Sequence, residues 1–143
     1  MAFEILESVS RADIAFRVRG RDPVELFTAG AGALLAIMIR NPETVLKKTA
    51  VVFTCEAADL DMLYFDFLSE FIFHKDADKL LLLPEQLEIN GSDGTYRLSC
   101  TASGEAIDRS RHLLAVDIKA ATMHNLSVTR DGSGFSATIV VDV

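Results

Sequence analysis

The stretch FSATIVVDV at residues 135–143 alternates apolar with more polar side chains. In an extended chain, this period of two places one set of side chains on one face of a half-buried strand. That apolar set consists of Phe135, Ala137, Ile139 and Val141. The preceding DGSG at residues 131–134 is typical of a tight turn. The pattern therefore predicts an antiparallel hairpin, with Asp142 off the apolar face of its second strand.

The same period of two occurs earlier in the chain. Ile14, Phe16 and Val18 alternate with more polar residues, which predicts a strand that Asp13 opens. TAVVFTCEA at residues 49–57 indicates another strand, and VDIKAAT at residues 116–122 a further one. Asp93-Gly94 lies in EQLEINGSDGTYRLSCTASGE, residues 85–105, where it predicts the turn of a hairpin.

Two segments change to helical spacing. Asp22, Pro23 and Glu25 form a helix start of the capping-box type, and Asn41-Pro42 is expected to stop that helix. Asp59 is placed to cap a second helix, whose apolar residues recur every three or four positions. These apolar residues are Leu60, Leu63, Tyr64, Phe67, Leu68, Phe71 and Ile72. Two early helices followed by an antiparallel run predict an α+β fold, with one domain over residues 1–143.

Composition limits the classes of function. Half of the 143 residues are hydrophobic and 24% are charged, which is typical of a globular chain. The net charge of -7 argues against broad adhesion to nucleic acid and leaves direct binding of RNA undecided. No secretory signal or bilayer-length apolar run is recognisable, so we expect a cytoplasmic protein without a membrane partner. Cys55 and Cys100 are then expected to be reduced, buried thiols rather than a disulfide.

The acids at two strand ends are the candidate functional residues. If the first clear strand and the closing strand are antiparallel neighbours, Asp13 and Asp142 meet at one rim beside the carboxylate of Val143. Neighbouring carboxylates repel each other unless a cation neutralises them, and hard divalent ions prefer oxygen ligands. Lys119 is a candidate counter-charge. Spacing alone leaves open the alternative that both acids are simply solvated strand ends.

No catalytic signature accompanies these acids. A nucleophile elbow, a phosphate-binding loop and a zinc-protease helix are all missing from the sequence, and its three histidines are scattered. The sequence therefore predicts a protein that is not itself an enzyme. A small metal-dependent hydrolase is the less favoured alternative, since no base or nucleophile is positioned for it.

Five segments resemble, in order, those of the archease family. RADIAFRVRG at 11–20 is similar to its opening strand, and VELFTAGAGALLAIM at 24–38 to its first helix. Residues 60–82 resemble its second helix and the acidic turn after it, and RHLLAVDIKAATMHNLSV at 111–128 resembles a family segment with Arg-His followed by a lysine. The closing VVDV resembles the family's final Asp plus apolar residue. Ser10-Arg11 departs from the family's His-Thr.

The resemblance implies a protein cofactor that promotes guanylylation and turnover of the RNA ligase of tRNA splicing. It also implies a divalent metal site, usually taken as calcium, with Asp13, Asp142 and Val143 as its ligands. Lys119 corresponds to a lysine implicated in activation, and Asp76 and Asp78 to the acidic turn. Because Ser10 replaces the family histidine, the alternative is a divergent binding module or chaperone that has lost ligase activation.

Overall fold

The computed structural model describes residues 3–7 and 12–143. Ser10 and Arg11, where the sequence departs from the family motif, lie outside the described residues. Within these described residues, seven strands and two α-helices follow one another. Their bounds are β1 Glu4–Glu7, β2 Asp13–Gly20, α1 Pro23–Met38, β3 Thr49–Ala57, α2 Leu60–Asp78, β4 Leu80–Ser92, β5 Thr95–Ala106, β6 Ala120–Asp131 and β7 Gly134–Asp142.

The strands form two antiparallel sheets, one in the order β1-β2-β7-β6 and one in the order β3-β5-β4. Both predicted hairpins are present: Ser92 pairs with Thr95 across Asp93-Gly94, and Asp131 pairs with Gly134. Asp93 and Gly94 both have positive φ, as a two-residue hairpin turn of this kind requires. The α+β single domain expected from the sequence is thereby confirmed. Strand β1 was not predicted.

Helix α1 starts as the sequence predicts. The Asp22 side chain accepts a hydrogen bond of 2.8 Å from the Glu25 amide, which satisfies one of the free N–H groups of the first turn. Glu25 reaches back to the Arg21 amide, one residue before the cap, instead of the Asp22 amide. The helix ends at Met38, before Asn41-Pro42, because the backbone at Ile39 is extended and pairs with Leu114.

Helix α2 is longer than the sequence suggested. Asp59 caps it by accepting 2.8 Å from the Met62 amide, as predicted. The prediction that Asp76 and Asp78 form an acidic turn is wrong, because α2 continues to Asp78 and both acids lie in its last turn. The helix ends where Lys79 adopts a left-handed conformation, with φ of 57°.

The core lies between the helices and the two sheets. Gly30 of α1 lets the Tyr64 ring approach so closely that a Cβ atom there would lie 2.5 Å from the Tyr64 hydroxyl oxygen. Ring contacts continue from this point towards the second sheet. They involve Phe27, Tyr64, Phe67, Phe71 and Phe53. Within the described residues, no helix is long and apolar enough to cross a membrane.

The connection between β5 and β6 is irregular. A strand was predicted over residues 116–122, but β6 begins only at Ala120. Residues 107–119, which we call the 107–119 segment, therefore carry Lys119 at the end of a loop. Cys55 and Cys100 are free thiols, as expected, but only Cys100 is buried and Cys55 is half-buried. Burial raises the pKa of Cys55 to about 12 and that of Cys100 to about 11, so both remain protonated near neutral pH.

Candidate functional site

The two strand-end acids meet. In the β2–β7 pair Asp13 lies directly opposite Asp142, so their side chains share one face at the end of the ladder. Main-chain hydrogen bonds hold the surroundings, because the Val143 amide donates to Ala12 O at 2.7 Å and the Lys119 amide donates to Asp142 O at 2.8 Å. Asp13, Lys119, Asp142 and Val143 form what we call the acidic rim. The sequence predicts that Asp13 and Asp142 meet if the two strands are antiparallel neighbours, and the structure shows that they are.

The acidic rim is electrostatically strained. A hydrogen bond that Asp142 donates to the neighbouring Asp13 carboxylate, partial burial and the negative charge of Asp13 raise the pKa of Asp142, while the Lys119 charge lowers it by a smaller amount. Two carboxyl groups this close share a proton more readily than they ionise together. A bound cation would relieve the same repulsion, which makes the rim an electrostatically suitable cation site.

The donor set at the rim fits a hard divalent cation in type. Two carboxylates and the main-chain oxygen of Val143 supply only oxygen, the donor that calcium and magnesium prefer. Within the described residues, no three His, Cys, Asp or Glu side chains gather as a metal-binding group. A cation held by Asp13 and Asp142 would therefore depend on main-chain oxygen, water or a partner for its remaining ligands.

Lys119 is positioned by a residue that sequence reasoning missed. The side chain of Lys75 is only 7% exposed, and its ammonium donates at 2.6 Å to both Ile118 O and the Asp117 carboxylate. It also pairs with Asp76 at 2.6 Å. The ammonium thus holds the main chain directly before Lys119. The available signal was its spacing: Lys75 follows Phe71 by four residues, on the buried face of α2.

Burial and pairing act in opposite directions on Lys75. Burial alone would lower its pKa, but the hydrogen bonds to Asp117 and Asp76 outweigh burial and raise it. Lys75 is therefore a charged anchor at neutral pH. Asp76 belongs to the surroundings of the rim through this contact, whereas Asp78 pairs with His74 at 3.0 Å.

A second buried charge network holds the start of the 107–119 segment. Glu105 is 3% exposed and accepts hydrogen bonds from Arg111, from the Leu46 amide at 2.8 Å and from His112 Nε2 at 3.0 Å. The Asp108 amide donates to His112 Nδ1, so the other ring nitrogen carries the proton that reaches Glu105. His112, one of the three histidines that are scattered in the sequence, is a buried partner in this network.

A surface cavity of about 560 Å³ lies against the 107–119 segment, beside Lys75. Its lining combines the charged residues Lys75, Asp76 and Asp117 with the apolar residues Leu81 and Leu114. Asp117, which lines this cavity, precedes the rim residue Lys119 by two positions in the chain.

Comparison with known proteins shows which proteins this chain is similar to. The sequence profile of the Archease protein family matches residues 3–143. A protein archease from Methanosarcina mazei is 31% identical over 142 residues, covering 99% of this chain and 95% of that protein. A protein archease from Pyrococcus furiosus is 32% identical, covering 92% of this chain and 93% of the relative.

Solved structures have the same fold. The solution structure of protein 1598 from Methanobacterium thermoautotrophicum superposes with a TM-score of 0.84 at 25% identity, covering 99% of this chain and 98% of that chain. A crystal structure from Thermotoga maritima, described as an archease and possible chaperone, superposes with a TM-score of 0.62 at 18% identity. It covers 98% of each chain and shows likeness of fold.

Proposed function

Because the chain belongs to the archease family, we propose that it is a cytoplasmic protein cofactor of the RNA ligase of tRNA splicing. In this proposal the ligase carries out the chemistry, and this chain promotes its guanylylation and turnover. One observation carries the proposal for this particular chain. Strand pairing brings Asp13 opposite Asp142, with the Lys119 main chain bonded to Asp142.

The proposed work of the rim is electrostatic. Asp13, Asp142 and Val143 would hold a divalent cation, with calcium the first candidate, and the cation would supply positive charge at the rim. The chain itself holds the two carboxylates at a fixed separation through the β2–β7 ladder. Lys75 fixes Ile118 and so limits where the exposed Lys119 ammonium can lie. A preorganised rim of this kind presents charge to a partner without reorganising at the moment of contact.

The test is the rate of guanylylation of the cognate ligase with and without this protein. We expect the wild-type chain to raise the rate, and Asp13→Asn, Asp142→Asn and Lys119→Ala each to reduce the stimulation by roughly tenfold or more. Glu88→Gln, an exposed acid on β4, serves as the matched control and should leave stimulation unchanged. Absence of stimulation at any concentration of calcium, magnesium or manganese would contradict the proposal.

A second candidate is a binding module or chaperone without ligase activation. Ser10 at the position of the family histidine favours it. The two functions separate in one experiment that measures both complex formation with the ligase and guanylylation. Binding without stimulation, together with no uptake of calcium, magnesium or manganese in calorimetric titration, would select the second candidate.

A further inference from the structure

The four edge strands of the two sheets differ in how they are protected. In the part of the chain that the structure describes, β1 and β6 are the outer strands of the first sheet, and β3 and β4 those of the second. An edge strand exposes unpaired N–H and C=O groups, and monomeric proteins usually block it with shortness, bulges or proline. The presence or absence of such features therefore shows which edge is open to pairing.

Three of the edges carry such features. Strand β1 is four residues long, and its register shifts after Ile5. Strand β4 contains Pro84 and a register shift at that residue. In β6 the register shifts between Thr122 and Ser127, with Asn125 at positive φ. Each feature interrupts the ladder that an added strand would need.

Strand β3 has none of these features. Its nine residues pair with β5 in unbroken register, from Thr49↔Gly104 to Ala57↔Tyr96, and contain no proline. Its outward-facing Val52 is 72% exposed, the highest value among the large apolar side chains described. Its inward-facing side chains, such as Phe53, are only half-buried although they face the core. A further strand beside β3 would cover the exposed Val52 side chain and the half-buried inward-facing side chains.

The charges around β3 suit a second copy of the same strand. Lys47 and Lys48 precede it, whereas Glu56 and Asp59 lie at its other end. Antiparallel pairing of two β3 strands over their full length centres on Phe53. This register brings the Lys48 end of one copy to the Glu56 end of the other, so opposite charges meet at both ends of the pair. Within its own chain Lys48 pairs with Glu105 at 3.6 Å and Glu56 with Arg97 at 3.7 Å, so the second copy would add to these ion pairs. Parallel pairing would bring like charges together at both ends.

We propose that β3 is a self-association edge, through which two copies of this chain form an antiparallel β3–β3 pair and one continuous six-stranded sheet. In this arrangement Val52 of each copy lies opposite Thr54 of the other, on the exposed face. Both Phe53 side chains lie on the helix-covered face, where the pairing completes their burial. The edge belongs to the sheet that does not carry Asp13 and Asp142.

Sedimentation velocity from low micromolar to millimolar protein tests the proposal. We expect the wild-type chain to convert from monomer to a species of twice its mass. Val52→Glu should weaken this association at least tenfold, because each introduced carboxylate lies diagonally across from Glu56 and from its own counterpart. Met123→Glu, at a 59% exposed apolar side chain on the interrupted edge β6, is the matched control and should dimerise like the wild type.

A mixing experiment tests the register. Thr54→Lys places like charges diagonally across the pair, so this variant should also be mainly monomeric alone. Mixed with Val52→Glu, it should restore the dimer, since the carboxylate introduced by V52E in one chain then lies directly opposite the ammonium introduced by T54K in the other. A monomeric wild type at every concentration would overturn the proposal and leave the edge to a strand of another protein. Dimerisation of Val52→Glu equal to that of the wild type would overturn it as well.

Discussion

At the scale of single residues, repulsion between the carboxyl groups of the acidic rim lowers the stability of the folded chain. The Asp13 carboxyl raises the pKa of Asp142 in the folded chain, so the folded state holds that proton more tightly than the unfolded chain does. Stability is then lost as the pH rises through this raised pKa. In chelator at about pH 7, we expect Asp142→Asn to unfold at a higher temperature than the wild type.

The pH dependence supplies the control for this prediction. As the pH falls and Asp142 of the wild type becomes protonated, the advantage of Asp142→Asn should shrink. Thermal unfolding followed by circular dichroism across the acidic range measures it. An Asp142→Asn variant that melts below the wild type at neutral pH would show that the two carboxyl groups stabilise the fold together.

Tyr64 is a second residue whose polar group destabilises the folded chain. Its hydroxyl is buried over Gly30 and, among the described residues, has no hydrogen-bond partner. An unpaired buried hydroxyl costs about 1–3 kcal/mol, which its removal recovers in part. We expect Tyr64→Phe to raise the free energy of unfolding by about 1 kcal/mol in urea denaturation. Destabilisation by a similar amount would indicate a hydrogen-bonded hydroxyl.

At the scale of elements, the sequence predicts correctly those features that depend only on neighbouring residues, such as helix caps. Asp22 and Asp59 cap their helices as expected, since a cap depends on residues within one turn. The 107–119 segment was mispredicted because distant residues determine it. The alternation in VDIKAAT suits a strand, but the Ile118 carbonyl accepts from Lys75 of α2, more than forty residues earlier. Sequence spacing carries no record of such a partner.

The same distinction explains the candidate site. The sequence places Asp13 at the start of one strand and Asp142 at the end of another, so the acids meet if those strands are antiparallel neighbours, and the structure shows that they are. The roles of Lys75 and His112 could not be predicted in this way, because each depends on side chains that meet only in the folded chain. The sequence itself offers Lys119 as a counter-charge, the family resemblance adds a role in activation, and the structure adds Lys75, which positions the main chain before Lys119.

The Glu105 network makes the 107–119 segment sensitive to acid. The Leu46 amide, His112 and Arg111 hold the pKa of Glu105 at about 2 against burial, from an ordinary value of 4.5. Its stabilising contribution is present above the unfolded pKa and is lost as the pH falls from 4.5 to about 2. We expect Glu105→Gln to be less stable at neutral pH and to lose less stability over that range.

Urea denaturation at several pH values measures this difference, and Glu88→Gln provides the exposed control. Hydrogen exchange adds a local measurement, because the amides of Leu46 and Leu113 should exchange faster in Glu105→Gln. Both belong to the connections that the network joins. Equal acid sensitivity of Glu105→Gln and the wild type would assign the acid response to other carboxylates.

At the scale of the whole molecule, a cation bound at the rim should stabilise the folded chain. A ligand that binds only the folded state adds about 2.7 kcal/mol at one hundred times its dissociation constant. We therefore expect calcium to raise the melting temperature of the wild type and to have little effect on Asp13→Asn or Asp142→Asn. Glu88→Gln should respond like the wild type. Equal shifts in all four proteins would place the cation elsewhere.

The position of β7 has a consequence for the order of folding. This strand lies in the interior of its sheet, between β2 and β6, and pairs with β2 across more than one hundred residues of chain. During synthesis the edge of β2 that pairs with β7 must therefore stay unpaired until β7 has left the ribosome. Asp13 gains its neighbour in the same event. If the acidic rim contacts a partner as proposed, a nascent chain would display no complete rim before β2 and β7 have paired.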